Sequence, residues 1–229
     1  MKKSGLKVSI MLILSLLILY SVALNAEVRT SSAETPLTTP SNQPSLEDLI
    51  VETPMIIDYD SDFESYGFPG DGSPGDPYRI ENLNITTTED YCLNFGGYTT
   101  KHFIIQNCFL KTDTNYAIYI GKYNIIAEGT VDIYNNDIVS TGNDGLKLDG
   151  VVNGKIRENY IVSISAALSL DDSNFTYVHN NVFAAYTGVS VINSRGVTIL
   201  KNTCTETTDT GIHLLNANET IIAHNNVSN

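Results

Sequence analysis

Positive charge is the first thing this chain has little of. Its 13 Lys and Arg stand against 26 Asp and Glu, a formal net charge of −13. That balance excludes nucleic acid as a partner, which needs a basic patch or stripe. Cysteine is nearly missing. Cys92, Cys108 and Cys204 are an odd number without local spacing, so there is no disulfide framework. Methionine beyond residue 26 is Met55 alone, and the four histidines, His102, His179, His213 and His224, are spread along the chain and read as surface imidazoles. After residue 90 no apolar stripe holds helical spacing over three turns, and the L-x-x-L-x-L pattern of leucine-rich repeats does not occur.

What is present is a repeat. I-x-x-N-x-[IVFC] occurs as Ile104…Asn107…Phe109, Ile133…Asn136…Ile138, Ile156…Asn159…Ile161, Val178…Asn181…Phe183, Ile199…Asn202…Cys204 and Ile222…Asn225…Val227. The asparagines lie 29, 23, 22, 21 and 23 residues apart. In step run the alternating pairs Leu93/Phe95, Ile118/Ile120, Leu146/Leu148, Leu168/Leu170, Val189/Val191 and Ile212/Leu214. A period of this length marks a solenoid, and the two-residue alternation within it marks short strands with one face in and one face out. Three strands and their turns fit one coil. The predicted fold is all-β, a parallel β-solenoid of about six three-strand coils with an N-terminal cap. Stacked at ~4.8 Å, Asn107, Asn136, Asn159, Asn181, Asn202 and Asn225 are expected to form a hydrogen-bonded structural ladder. In that scheme Cys204 fills an inward slot, while Cys92 and Cys108 point outward from different strands of one coil.

These units resemble the right-handed parallel β-helix family of pectin-degrading enzymes and NosD-type periplasmic copper-binding proteins. Gly188-Val-Ser-Val191 and Gly211-Ile-His-Leu214 look like its first strand, and Ile199 to Asn202 like its second strand and asparagine turn. The resemblance covers about residues 78–229 and implies the right-handed form of the parallel β-helix. The stretch Gly67 to Asn82 is similar to the opening segment of archaeal surface β-helix proteins, which implies an archaeal source.

Lys2, Lys3 and Lys7, followed by an uncharged run from Val8 to Ala26, make residues 1–26 a signal peptide or signal anchor, cleaved near Ala23 or Ala26. Without it the chain carries −16. Residues 27–47, rich in Ser, Thr and Pro, form an extended linker. Residues 48–90 supply the cap and first coil: Leu49–Val51 and Met55–Ile57 as short strands, then one helical turn after Asp60 to cover the open solenoid end. Residues 91–229 hold the repeats, with extra length at 123–130 that predicts a protruding loop. The expected location is extracellular or cell-surface, with membrane contact only through an uncleaved N-terminus. Sequons at Asn84, Asn174, Asn218 and Asn226 are glycosylation candidates.

Chemistry is sparse. Asp149 and Asp171-Asp172 follow equivalent strand ends in adjacent coils. With Lys147 they are the weak catalytic candidates, and alone the weak Ca²⁺ candidates. The pectin-hydrolysing branch carries N-T-D, D-D, G-H-G and R-x-K. Only Asp171-Asp172 matches, so its catalytic roles do not carry over. Asp58-x-Asp60-x-Asp62-x-Glu64 resembles the start of a Ca²⁺ loop, but Phe63 stands where glycine is needed, so it reads as a solvated acidic turn. The outward column Asn94, Tyr119, Lys147, Ser169, Ser190 and His213 occupies the face that binds sugar in the pectin-degrading relatives. The expected function is a binding or structural module directed to glycans or other surface proteins, without turnover. A Ca²⁺-assisted polysaccharide lyase, hydrolase or epimerase is one alternative, and a NosD-like copper-binding accessory protein is the other.

Overall fold

The computed structural model describes residues 44–121 and 127–228. The expected targeting segment, nearly all of the linker and the first half of the predicted loop at 123–130 lie outside these residues. Two strands begin the solenoid, β1 (Ile50–Val51) and β2 (Met55–Ile56), followed by a helix, α1 (Asp60–Ser65). The first complete coils are β3 (Tyr78–Glu81), β4 (Leu83–Thr87), β5 (Tyr91–Phe95), then β6 (Phe103–Gln106), β7 (Phe109–Thr112), β8 (Tyr116–Ile120), then β9 (Val131–Tyr134), β10 (Asp137–Ser140), β11 (Leu146–Asp149). They continue as β12 (Lys155–Arg157), β13 (Tyr160–Ser163), β14 (Ala166–Asp171), then β15 (Tyr177–His179), β16 (Val182–Ala184), β17 (Thr187–Ile192), then β18 (Thr198–Leu200), β19 (Thr203–Thr205), β20 (Thr210–Leu215). A partial turn, β21 (Ile221–Ala223) and β22 (Asn226–Val227), follows.

Every third strand pairs in parallel. Sheet I runs β3-β6-β9-β12-β15-β18-β21, sheet II β1-β4-β7-β10-β13-β16-β19-β22, and sheet III β2-β5-β8-β11-β14-β17-β20. This is the all-β parallel solenoid of about six turns, of the right-handed type, that the repeat and the resemblance predict. Residues 50–56 belong to it, because β1 pairs with β4 and β2 with β5 in register. Helix α1 lays Phe63 against the first two coils, its ring stacked 4.8 Å from Tyr78 and tilted at 5.5 Å from Phe103. Two carboxylates of the Ca²⁺-like stretch are spent locally. Asp60 accepts from the Thr99 hydroxyl at 2.6 Å and the Thr100 N–H at 2.9 Å, and Asp62 from the N–H groups of Asp58 and Tyr59 at 2.8 Å.

The core is a set of stacked aliphatic columns with no measurable exposure: Ile80, Ile105, Ile133, Ile156, Val178 and Ile199 on sheet I, and Ile85, Leu110, Ile138, Ile161, Phe183 and Cys204 on sheet II. Here the second coil departs from the sequence register by one residue. Ile105 and Leu110 point inward where the repeat put Ile104 and Phe109. Cys108 therefore takes the slot assigned to Asn107. The reason is that asparagine serves two columns in this turn. One is a left-handed backbone column, Asn82, Asn107, Asn135, Glu158, Asn180, Lys201 and His224, with φ between 54° and 59°. Asparagine tolerates that conformation better than most residues. The next residue is the buried amide column. Asn107 belongs to the first, where its Oδ1 accepts from Asn135 Nδ2 at 2.7 Å.

The second column is a continuous ladder. Asn136, Asn159, Asn181 and Asn202 each donate Nδ2 to the Oδ1 of the next asparagine, at 3.0, 3.0, 2.9 and 3.0 Å, ending on Asn225. The same oxygens accept the backbone N–H groups of the preceding coil, from Cys108 at 3.0 Å to Asn202 at 2.8 Å. Each amide thus closes a turn that would otherwise bury unpaired backbone groups. A shorter counterpart at another corner, Ser173 and Ser194, accepts from the N–H groups of Val151 and Ser173 at 3.1 and 2.9 Å.

Cys92 and Cys108 are inside, not outside as expected: both side chains are buried and unbridged. Cys108 follows from the shifted register, and Cys92 sits where sheet II turns into sheet III, its Sγ 3.6 Å from the Ile85 carbonyl oxygen.

Candidate functional site

Sheet III presents the most differentiated outward surface. Its register aligns Asn94 with Tyr119, Tyr119 with Lys147, Lys147 with Ser169, Ser169 with Ser190 and Ser190 with His213. The strand pleat sends this column outward while Leu93, Ile118, Leu146, Leu168 and Val189 go to the core. At the N-terminal end the column meets two tyrosines that sequence reasoning missed. Tyr91 and Tyr116, which open β5 and β8, stack 6.1 Å apart, and each ring lies 5.6 Å from Tyr119. All three rings remain partly exposed. The available signal was the shared spacing of Tyr91-Cys-Leu-Asn94 and Tyr116-Ala-Ile-Tyr119. Gly121 belongs to the same surface, since a Cβ there would run into the Tyr119 ring.

Polar groups flank the rings. Asn143 hydrogen-bonds to the Tyr116 phenol and donates Nδ2 to Asn115 Oδ1 at 3.2 Å. Burial, reinforced by the neighbouring Asp144 charge and by Tyr91, pushes the Tyr116 phenol above its ordinary range, so it is a neutral donor at physiological pH. Asp144 itself accepts the Ala166 N–H at 2.9 Å, which ties the acidic turn to the next coil.

Further along the sheet, Asp149 and Asp171 are registered neighbours, as their equivalent positions implied. Lys147 Nζ reaches across to Ser169 Oγ at 3.1 Å and Asp171 Oδ2 at 3.8 Å, and Asp171 Oδ1 also faces Asn193 Nδ2 at 3.4 Å. Asp172 is not beside them on the strand. With φ of 46° it occupies the left-handed turn column of Gly150, Asn193 and Asn216. The edge is therefore one lysine interleaved with two strand carboxylates. Among the described residues no three His, Cys, Asp or Glu side chains converge on a point where a metal ion would sit.

The other candidate donors are separated. His213 Nδ1 is 3.5 Å from Ser190 Oγ, and His224 is in the left-handed turn column. On sheet I, His179 packs 4.6 Å from the Tyr177 ring, where burial and then the Arg157 charge lower its imidazole below the ordinary range. Burial raises the Cys92 and Cys108 thiols to about 12 and the Cys204 thiol to about 11, far from the thiolate a soft metal needs. Met55 is buried.

The four sequons fall on different surfaces. Asn84 lies on β4 between Val51 and Phe109, and Asn226 on β22 beside Thr203. At the turns between sheets III and I, Asn174 Oδ1 accepts the Arg195 N–H at 2.8 Å, and Asn218 bridges to Arg195.

Residues 111–229, just over half of the chain, match the family model described as NosD, periplasmic copper-binding protein. No curated protein and no solved structure matches the chain. Among the described residues no helix is long and apolar enough to cross a membrane.

Proposed function

The chain belongs to the NosD family, and from that premise we propose that it is an exported β-helix protein acting as a binding module for glycans through the tyrosine end of sheet III. Export is supported by the family's periplasmic description and by the charge pattern of residues 1–26. The observation that carries the ligand reading is the cluster of Tyr91, Tyr116 and Tyr119, within 5.6–6.1 Å of one another on an outward face. Tyrosine rings supply flat apolar area for the C–H faces of a sugar. The amides of Asn94, Asn115 and Asn143 and the Tyr116 phenol supply donors and acceptors for its hydroxyls.

The test is a glycan array on the mature chain, followed by calorimetry on any ligand found. Tyr119→Ala and Tyr116→Ala, each confirmed folded by circular dichroism, are expected to weaken binding ~10-fold or more, the scale of one lost stacking contact with its hydrogen bond. Retention of full affinity in both variants, or no glycan bound at all, refutes the reading.

The family description favours a second reading, copper handling. The histidines, thiols and Met55 of the described residues do not form a set that fits copper, so no step is derived through it. Titration of the mature protein with Cu(I) and Cu(II) decides. Stoichiometric sub-micromolar binding, lost on substitution of the histidines, would establish this reading in place of the first. For the polysaccharide-cleaving alternative, Lys147 and Asp171 would have to act as acid and base while occupied with each other. New reducing ends or unsaturated uronate absorbance from polysaccharides, abolished in Lys147→Ala, would establish it.

A further inference from the structure

We propose that the tyrosine face selects uncharged glycans and rejects uronate-bearing ones. This rests on the glycan reading above and adds the ligand's charge class. The first observation is the fate of the lysines. Lys147, the one cation of the outward column near the rings, is neighbour to Tyr119 and lies 3.8 Å from Asp171 Oδ2, with Ser169 taking a further hydrogen bond at 3.1 Å. Lys111, on the adjoining sheet of the same coil as Tyr116, lies 3.7 Å from Asp113. Among the described residues, then, both lysines near the rings already face a carboxylate. A uronate would have to compete with that partner for either one.

The second observation is the sign of the surroundings. The turn leading into β5 carries Glu89 and Asp90, both exposed, directly before Tyr91. The turn leading into β8 carries exposed Asp113, and the turn leading into β11 carries Asp144, whose charge acts on Tyr116. Among the described residues these, with Asp171, are five carboxylates against the two lysines. A carboxylated sugar laid across Tyr91, Tyr116 and Tyr119 meets net negative potential along the whole row, and like charges within a Debye length repel.

The third observation is what the face offers instead. The Tyr116 phenol and the Asn94, Asn115 and Asn143 amides are neutral donors and acceptors. They pair with hydroxyl or acetamido groups without desolvating a charge. A pectin-type surface would need free Arg or Lys for bidentate or point-charge capture of carboxylates. This face pairs its lysines with its own acids.

The experiment is calorimetry of the mature chain with matched hexasaccharides: hexagalacturonate and its full methyl ester, with cellohexaose and chitohexaose beside them, at low and high salt. The expected result is binding of at least one uncharged hexasaccharide. Hexagalacturonate is expected to bind ~10-fold or more weakly than its ester at low salt, with the gap narrowing as salt screens the repulsion. Asp171→Asn releases Lys147 and is expected to raise the hexagalacturonate-to-ester affinity ratio by ~3-fold or more, one screened charge contact. Hexagalacturonate binding as tightly as its ester or tighter overturns this inference while leaving the glycan reading standing. No binding by any of the four, together with an empty array, overturns both. An unchanged ratio in folded Asp171→Asn overturns the role given to the Lys147–Asp171 pair.

Discussion

Asn180 and Asn181 are chemically identical neighbours that the fold uses in opposite ways. Asn180 is exposed with φ of 56°, a left-handed position where glycine is at least as well accommodated. Asn181 is 1% exposed, and its side chain closes two coils at once. Its Nδ2 donates to Ile156 O at 2.9 Å, His179 O at 3.1 Å and Asn202 Oδ1 at 2.9 Å. Its Oδ1 accepts from the Asn159 backbone N–H and from Asn159 Nδ2, both at 3.0 Å. The same substitution at both positions separates the roles. Either glycine loosens the unfolded chain by a similar amount, roughly 1 kcal/mol. At residue 180 relief of the left-handed backbone offsets that cost, so Asn180→Gly is expected within ~0.5 kcal/mol of wild type. At residue 181 the Asn159 N–H and the Ile156 carbonyl lose their amide partner in a buried turn, at ~1–3 kcal/mol each. Asn181→Gly should therefore lose roughly 3–7 kcal/mol. Urea unfolding followed by circular dichroism reads this as a shift of midpoint at constant slope. Equal midpoints for the two variants would refute the ladder as a source of stability.

Two further outcomes follow from the core. Ile156, fully buried between Ile133 and Val178, should lose ~2–5 kcal/mol on truncation to alanine, measured by the same urea midpoints. The three thiols, raised to about 12, 12 and 11, should resist a thiolate-directed reagent in the native chain at pH 8 and react fully in denaturant. Cys204 should be the first to react natively, because burial raises its thiol least of the three. Native labelling of Cys92 or Cys108 ahead of Cys204 would count against that order.

The parts of this molecule that were legible in its sequence are those that stacking forces to repeat. A parallel solenoid places equivalent residues of successive coils one above another, so the demand for an apolar pair and a turn asparagine recurs at each coil and survives as a period. That demand is visible from Ile133 to Asn225 because those coils differ in length by one or two residues. Phase is another matter. In the second coil Ile104 and Ile105 are both apolar, and one asparagine, Asn107, precedes a cysteine that can fill a buried slot. The motif fits in either of two frames, and only pairing of Ile105 with Ile133 selects one. The same ambiguity hid the inward orientation of Cys108.

The tyrosine face was illegible for a related reason. Tyr91 and Tyr116 open their strands two residues ahead of the repeat's apolar pairs, outside the positions the period constrains. Nothing in a single coil marks them. They join Tyr119 only when β5 and β8 align Tyr91 with Tyr116. The outward column itself was legible, because the apolar pairs Ile118/Ile120 and Leu146/Leu148 set Tyr119 beside Lys147 despite the longer connection between β8 and β9, and the register agrees. In a fold whose every coil offers the same strands and turns, chemistry is encoded in what lies above and below a residue. Lys147 shows this most clearly. Along the chain it stands two residues before Asp149, while across the coils its Nζ lies 3.8 Å from Asp171 Oδ2, a carboxylate 24 residues away that only the stacking of equivalent strand ends brings beside it.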